Sequence, residues 1–303
     1  MSLLLALILL ATLFLLSAVL VVLVVGPLLL LQPERRTKDW YRGKTDFLEP
    51  RDAGLPQEDI VLTTHDGIKL HGWLVRHKKP SAKGTIIYLH GVGDCKTAGV
   101  ALSKLFYSKG FNVLLYDSRT HGESGGPFCT YGYYEKQDVA TAIEFLLKRR
   151  GLKVGRIGLF GTSMGAAVAI QAAAIEPRIK AVVAEACFTD LRTISVDYQR
   201  RIIKLPWHFL RNVAMGRSQS IARFRARDVS PVQDVGRLGI PILFIHGMED
   251  RLIRYEYSKT LYHQALEPKE IVLIPGANHT DIWEIAGTLY EQKIISFFVK
   301  NLR

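Results

Sequence analysis

One stretch of this chain, residues 156–174, constrains its fold more than any other. A short apolar run, 157–160, ends at Gly161-Thr162-Ser163-Met164-Gly165, and small residues with helical spacing follow at once. Gly-x-Ser-x-Gly between a strand and a helix is typical of a sharp turn, in which side chains two positions from the serine would collide with the backbone. Gly161 and Gly165 supply no such side chains. We therefore expect Ser163 at the carboxyl end of a strand and the N-terminus of a helix, where negative charge is favoured. A chance match in a surface turn is the alternative.

The residues around this turn predict a layered α/β architecture. Two β-rich runs, 59–63 and 69–75, flank His65-Asp66-Gly67 and predict a hairpin. Further predicted strands are 85–89, 111–116, 157–160, 181–186, 242–245 and 270–274. Predicted helices are 96–109, 133–150, the segment after Ser163, 256–266 and 283–299. Short apolar strands that alternate with helices indicate a mostly parallel sheet covered on both faces.

The N-terminal segment has the composition of a membrane-spanning helix. Residues 3–31 contain no charged side chain, and residues 3–25 alone would extend about 35 Å as a helix, enough for a bilayer core of about 30 Å. Gly26-Pro27 is expected to break or kink this helix. A cleaved signal peptide would have a basic start and a shorter apolar run. We therefore predict an uncleaved anchor over 1–31, a linker over 32–58 and a globular domain over 59–303, in preference to a buried core helix.

Charge predicts the orientation of this anchor. The chain has a net charge of +12, and basic residues follow the apolar segment: Arg35, Arg36, Lys38, Arg42 and Lys44. The positive-inside rule then predicts a single-pass protein with its C-terminal domain in the cytoplasm. No nucleic-acid motif accompanies the charge, so a lipid bilayer is the expected partner and nucleic acid is not. Three scattered cysteines, Cys95, Cys129 and Cys187, indicate neither a disulfide framework nor a metal site, and weakly favour a reducing compartment.

A reactive serine needs a base to take its proton and an acid to orient that base. After a turn of this kind, the acid and then the histidine are expected to follow the serine along the chain. Asp250 lies just beyond the strand 242–245, and His279 follows the strand 270–274. Because active sites of parallel sheets lie beyond the carboxyl ends of strands, Ser163, Asp250 and His279 are the predicted catalytic set.

Other residues compete for these roles. Asp190 and Glu249 are alternative acids, and Asp250 could instead be a helix or turn cap. His279 could be an ordinary loop histidine. Three more histidines lie near strand ends, and each precedes a glycine as in a tight turn: His90, His121 and His246.

Attack on a carbonyl creates an oxyanion, which needs N–H donors already in place. The predicted donors are the backbone amides of Met164, directly after the nucleophile, and Val92, which follows His90-Gly91. Gly91 and Gly93 would let that backbone turn toward the site. This chemistry requires neither a metal nor an organic cofactor.

Together these motifs resemble the α/β-hydrolase superfamily. They are His90-Gly91, Asp117-x-Arg119-x-His121-Gly122-x-Ser124, the turn at Ser163, His246-Gly247-x-x-Asp250 and Gly276-x-Asn278-His279. Within the superfamily the chain is similar to serine aminopeptidase-like and dienelactone hydrolase-like bacterial hydrolases and to membrane-anchored α/β-hydrolase-domain proteins. The resemblance implies a central sheet, a Ser-His-Asp triad and activity on esters, thioesters or peptides. One departure is Val92-Gly93-Asp94-Cys95, where many relatives carry Asn-rich residues.

Residues 188–238 fall where this superfamily inserts a cap. Basic side chains recur through it: Arg192, Arg200, Arg201, Lys204, Arg211, Arg217, Arg223, Arg225 and Arg227. Apolar side chains are interleaved: Ile202, Ile203, Leu205, Trp207, Phe209, Leu210 and Phe224. The segment is either a lid that contacts anionic headgroups or acyl substrates, or a solvated basic face over a core.

The sequence thus predicts a membrane-anchored serine hydrolase acting on a small-molecule ester or thioester, with acyl amphiphiles as plausible substrates. A serine peptidase is the nearest alternative. A noncatalytic membrane scaffold on the same fold is a third, against which the complete triad argues.

Overall fold

The computed structural model describes residues 2–78, 82–149, 156–204 and 208–302. One eight-stranded sheet forms its centre. The strands are β1 Glu58–Thr63, β2 Lys69–Val75, β3 Thr85–Leu89, β4 Asn112–Tyr116, β5 Ile157–Thr162, β6 Ile179–Glu185, β7 Ile242–Gly247 and β8 Lys269–Ile274. Arg150, Leu205 and Trp207, which belong to the predicted helix 133–150 and the predicted cap, lie outside the described residues.

The sheet has the order β1-β2-β4-β3-β5-β6-β7-β8. β1 and β2 form the predicted antiparallel hairpin, and β2 also runs antiparallel to β4. From β4 to β8 every neighbouring pair is parallel. The carboxyl ends of β3, β5, β6, β7 and β8 therefore meet at one edge, which is where the candidate residues were expected. This arrangement is the mostly parallel sheet that the sequence predicted.

Helices cover both faces of the sheet. In the described part of the chain they are α1 Leu3–Leu20, α2 Gly26–Leu31, α3 Val100–Ser108, α4 Glu135–Leu147, α5 Met164–Ala173, α6 Leu191–Tyr198, α7 His208–Ala222, α8 Pro231–Val235, α9 Glu256–Gln264, α10 Ile282–Ala286 and α11 Thr288–Asn301. Side chains of α4, α5, α8 and α9 form the core on one face, and those of α3, α10 and α11 form the core on the other. The predicted last helix is two helices, because Gly287 has a positive φ of 51° and separates them.

The N-terminal helix is continuous through Gly26-Pro27, so of the break or kink expected there the break does not occur. α1 passes through a π-helical turn, Val21–Val25, directly into α2. Pro27 has no N–H to donate, and the wider turn just before it accommodates the irregular hydrogen bonding. The continuous helix, Leu3–Leu31, is long and apolar enough to cross a membrane. None of the side chains of α1 is buried.

The end of this helix is packed into the globular domain. Leu31 is fully buried in the core that includes α4 and α5. Its carbonyl accepts a hydrogen bond from the Cys129 amide at 2.7 Å, and the Leu30 carbonyl accepts one from the Tyr131 hydroxyl at 2.8 Å. The segment 32–58 continues across the domain surface, where Arg35 Nε donates to the Thr120 carbonyl at 3.0 Å. The division into anchor, linker and domain remains a prediction.

The predicted cap, residues 188–238, lies between β6 and β7 in the chain. It comprises α6, a π-helical turn at Gln199–Ile203, α7 and α8. Phe224 is buried, whereas Phe209 is 73% exposed. Among the nine basic side chains named in the sequence analysis, all but the partly buried Arg211 are exposed. Some form surface ion pairs, including Arg201 with Asp197 at 3.0 Å and Arg225 with Asp228 at 3.2 Å. Apart from Arg211, these basic residues are therefore surface groups.

Candidate active site

Ser163 occupies the strained turn between β5 and α5. Its backbone has φ 55° and ψ −116°, a combination that costs energy for a residue with a side chain. Its N–H donates to the Glu185 carbonyl at the end of β6, at 2.8 Å. The turn thus holds a partly buried serine at the first position before a helix.

Close backbone contacts explain the glycines at this turn. A Cβ atom on Gly161 would lie 2.3 Å from the Gly165 carbonyl oxygen, and one on Gly165 would lie 2.0 Å from the Leu89 oxygen. The His90-Gly91 turn is close too, since a Cβ on Gly91 would lie 3.4 Å from Ser163 Cβ. The turn that follows β3 therefore lies directly beside Ser163.

His279 and Asp250 are joined by a short hydrogen bond. His279 Nδ1 lies 2.6 Å from Asp250 Oδ2. Because a carboxylate only accepts, Nδ1 carries the proton and Nε2 is the atom of His279 that can take up another. The Asn278 side chain accepts from the backbone amides of His279, at 2.8 Å, and Arg251, at 3.1 Å. These bonds fix the histidine loop relative to the turn that contains Asp250.

The Asp250 carboxylate is fully hydrogen-bonded. Its Oδ1 accepts from the amides of Leu252 and Ile253, both at 2.8 Å, and its Oδ2 accepts from His279 and His246. Burial raises the pKa of Asp250, but the hydrogen bonds from His246 and His279 and the charge of His279 outweigh burial. The net result is a pKa below the ordinary value, so the group is an anion at neutral pH.

His246 is a site residue whose role the sequence prediction missed. It lies within β7 rather than in the tight turn expected for it. Nε2 lies 3.2 Å from Asp250 Oδ2 and 2.9 Å from the Ile253 carbonyl, and Nδ1 lies 2.6 Å from Ser258 Oγ. With two acceptors beside it, Nε2 must be protonated. The His-Gly-x-x-Asp spacing was the available signal, because it puts the histidine four residues before the acid.

The competing residues have other contacts. Asp190 caps α6 by accepting from the Thr193 amide at 2.9 Å, and Glu249 is exposed. His90 Nε2 accepts from the Ser118 amide at 2.9 Å, and its Nδ1 lies 2.8 Å from the Gly91 carbonyl. Through these two hydrogen bonds His90 stabilises the turn beside Ser163.

The residues predicted to donate to the oxyanion, Met164 and Val92, line the same cavity as Ser163. Met164 begins α5, so its N–H has no acceptor within the helix. Asp94, part of the departure from the family pattern, accepts from the Cys95 amide at 2.8 Å and from the Tyr41 hydroxyl. Asp94 therefore ties the Val92 loop to the segment that follows the N-terminal helix.

Among the described residues, no hydrogen bond joins the Ser163 hydroxyl to His279. Such contacts are often long in unliganded enzymes and tighten when substrate binds. The structure thus brings Asp250 and His279 into contact at the same sheet edge as Ser163, and the complete triad remains a prediction.

Ser163 lines an apolar cavity of about 440 Å³. Its walls come from the N-terminal helix, the loops after β3, β5 and β7, the predicted cap and the segment before α4. Polar side chains among the described lining residues include Ser195, Gln199 and Arg211, and none of those residues is an Asp or Glu. The cavity therefore suits an apolar group next to the serine hydroxyl.

Comparisons with known proteins agree with this arrangement. A family model described as serine aminopeptidase, S33, matches residues 80–232. The protein YqkD of Bacillus subtilis is 30% identical over 249 residues, which are 80% of this chain and 79% of YqkD. YfhR of Escherichia coli K12 is 29% identical over 255 residues, 81% of each chain. The solved esterase Pf2001 of Pyrococcus furiosus shares the fold, with a TM-score of 0.72, 24% identity and coverage of 89% of this chain and 100% of its own.

Proposed function

Because this chain belongs to the serine aminopeptidase S33 family of α/β-hydrolases, we propose that it is a membrane-anchored serine hydrolase that cleaves carboxylic esters or thioesters of acyl amphiphiles. The observation that carries the proposal is the position of Ser163 in an apolar cavity, at the same sheet edge as the Asp250–His279 pair. An acyl chain would fill the cavity and leave its carbonyl beside the serine. The esterase Pf2001 has the same fold.

The residues have complementary roles in this reaction. As Ser163 Oγ bonds to the carbonyl carbon, its proton passes to His279 Nε2, and the carbonyl electrons move onto oxygen. The Met164 and Val92 amides donate to this oxyanion. Asp250, held as an anion, orients His279 and stabilises its cation. The bond to the leaving alcohol or thiol then breaks, and His279 returns the proton to the leaving group.

Water completes the cycle by the same route. It attacks the acyl-Ser163 carbonyl while His279 Nε2 takes one of its protons. The second tetrahedral intermediate collapses with cleavage of the bond to Ser163 Oγ, and His279 gives the proton back to that oxygen. The products are the carboxylic acid and the free enzyme.

Membrane attachment is supported by the apolar helix and the charges that follow it. Leu3–Leu31 is long enough to span a bilayer, and Arg35, Arg36 and Lys38 come next. The positive-inside rule would hold the hydrolase domain on the cytoplasmic side.

A peptidase that removes N-terminal residues is the second candidate, because the matching family model carries that description. Such an enzyme needs an acidic group to bind the substrate ammonium. The described lining of the cavity offers no carboxylate, which favours the ester or thioester. Matched ester and amide substrates with one acyl group separate the two: faster amide hydrolysis would favour the peptidase.

A fluorophosphonate probe tests the proposal directly, because it labels only activated serines. Ser163→Ala should abolish labelling. Ser195→Ala is the matched control, since Ser195 lines the same cavity but donates its hydroxyl to the Leu191 carbonyl at 2.5 Å. It should label like the parent. A folded parent protein that does not react would contradict the enzyme and favour the scaffold.

A further inference from the structure

The N-terminal helix forms part of the cavity that contains Ser163. Five of its residues line the cavity: Val21, Val22, Gly26, Leu29 and Leu30. Leu210, Ala214 and Met215 of α7 also line the cavity, and α7 packs against the π-helical turn and α2. A Cβ atom on Gly26 would lie 3.5 Å from Ala214 Cβ, so the helix and the cap are in close contact at this point. One wall of the candidate active site is therefore made by the apolar segment itself.

This wall is fixed in place. Beyond the two bonds at Leu30 and Leu31, Gln32 Nε2 donates to the Pro127 carbonyl at 3.3 Å. Pro27 and Leu31 are buried. The π-helical turn contributes as well: the Gly26 N–H bonds to the Val21 carbonyl five residues earlier, which brings Val21 onto the same face as Gly26. π-Helical turns of this kind are frequent at functional sites.

The depth of this wall in a membrane follows from helix geometry. The 18 residues of α1 extend about 27 Å at the rise of an α-helix, close to the roughly 30 Å of a bilayer core. The cavity-lining residues come next along the helix and therefore lie at the interface. Leu29 is 70% exposed, and Phe209, beside the lining residue Leu210, is 73% exposed. An apolar surface thus continues from the lipid-facing helix to the cavity.

We infer that the membrane helix is a wall of the acyl-binding cavity, and that the substrate is a long-chain fatty acyl ester of the bilayer whose chain enters the cavity from the lipid phase. This inference rests on the proposed hydrolase function. The chain would pass from lipid to the space between the helix and α7 without crossing water, which avoids the cost of exposing apolar surface. The ester group would remain near the interface, beside Ser163.

A pair of variants tests this assignment in the full-length protein, reconstituted in vesicles of phosphatidylcholine and phosphatidylglycerol. Val22→Trp would fill the cavity from the helix side. Val24→Trp is the matched control, because Val24 is the same residue type two positions away, is 42% exposed and is not among the residues that line the cavity. The substrates are p-nitrophenyl palmitate carried in the vesicles and p-nitrophenyl acetate in the buffer.

The expected result is selective. Val22→Trp should lower kcat/KM for the palmitate ester by roughly tenfold or more while acetate hydrolysis stays within about twofold, and Val24→Trp should match the parent on both. Equal behaviour of the two variants on palmitate would overturn the inference. An equal loss on palmitate and acetate in Val22→Trp alone would also overturn it, because a wall of an acyl site must discriminate chain length.

A second measurement needs no substitution. A fluorophosphonate with a long alkyl chain that ends in a diazirine is bound to Ser163 and then photolysed. Crosslinks to residues 21–30 are expected, and crosslinks confined to the cap and the loops would overturn the inference. Absence of labelling at Ser163 would instead mean that the proposed hydrolase function has failed, so the two failures are distinguishable.

Discussion

His246 supports Asp250 from within the central sheet: Nε2 of the histidine in β7 lies 3.2 Å from Oδ2 of the acid. Both side chains are buried, and the same carboxylate oxygen accepts from His279 at 2.6 Å. Asp250 is therefore held by a side chain of the rigid core in addition to the amides of its own turn. His246 is a positioning residue for the proposed triad, since it reaches the base only through Asp250.

Replacing His246 should weaken both the fold and the reaction. His246→Phe keeps a ring of similar size but removes the hydrogen bond to a buried carboxylate, so we expect the free energy of unfolding to fall by about 2 kcal/mol. With Asp250 less well held, kcat for a short ester should fall roughly tenfold while KM stays unchanged. Urea unfolding and steady-state kinetics measure both effects. An unchanged kcat in the folded variant would mean that the amides of the turn position Asp250 sufficiently.

Removing the negative charge of Asp250 should have a larger effect on rate. In Asp250→Asn the His279 Nδ1 contact loses its anion, and we expect kcat to fall on the order of 10³-fold or more. Glu249→Gln and Asp190→Asn are the controls, because Glu249 is exposed and Asp190 caps α6. Each should retain activity within about twofold. A larger loss in either control would reassign the acid.

Gly161 and Gly216 should respond oppositely to alanine. A Cβ on Gly161 would lie 2.3 Å from backbone oxygen, whereas one on Gly216 would have nothing within 4 Å. Gly161→Ala should lower the free energy of unfolding by about 3 kcal/mol or prevent folding, because backbone cannot move aside cheaply. Gly216→Ala, within α7, should raise it by up to about 1 kcal/mol. Thermal or urea unfolding measures both free-energy changes. A Gly161→Ala variant as stable as the parent would contradict the tight turn.

Acid should destabilise the fold through His121. Burial, together with the neighbouring His90, lowers the pKa of His121 to about 3. Its Nδ1 lies 2.8 Å from the Arg119 carbonyl, and Nε2 is buried without a hydrogen-bond partner among the described residues. A proton on Nε2 would therefore be a buried, unpaired charge. The unfolded state accepts that proton below about pH 6.5, the ordinary value for histidine.

The direction of the pH effect on stability follows from this difference between the His121 pKa in the folded and the unfolded state. Stability from neutral His121 is complete above about pH 6.5 and is lost as the pH falls toward 3, by at most about 1.4 kcal/mol for each pH unit. His121→Asn can still donate to the Arg119 carbonyl and should flatten the dependence of unfolding free energy on pH between 4 and 6.5. His65→Gln, at an exposed position, should leave the slope unchanged. Equal slopes in the parent and His121→Asn would exclude this origin.

Local sequence pattern was sufficient for most of the fold. Asp-Gly between β-rich runs predicted the β1–β2 hairpin, and apolar runs of strand length predicted the parallel strands. The meeting of Asp250 with His279 followed from strand ends sharing one edge. The hairpin and the strands follow from the local pattern of residue types, and the contact between Asp250 and His279 follows from the order of the strands along the chain. Both can be recognised in a single sequence.

Features that depend on long-range packing were less accessible. The helix continues through Gly26-Pro27 because contacts with α7 and with Tyr131 stabilise it there, and those partners lie about a hundred residues or more away in sequence. The glycine after His246 indicates a tight turn when only neighbouring residues are considered, whereas the histidine lies within β7. Its role depends on Ser258 and Asp250, which only the folded loop after β7 brings to the ring.

The burial of Leu31 fixes where the globular domain lies relative to the N-terminal helix. A hydrolase joined to its anchor by a flexible tether could sample a hemisphere of bilayer surface and substrates at many heights. Here the last helical residue is a core residue, bonded to Cys129, so no flexible tether separates the helix from the domain in this structure. The cavity then has a single height and a single tilt relative to the helix. Such a protein would select esters first by the depth of their scissile bond in the membrane, and only then by their contacts with side chains of the cavity.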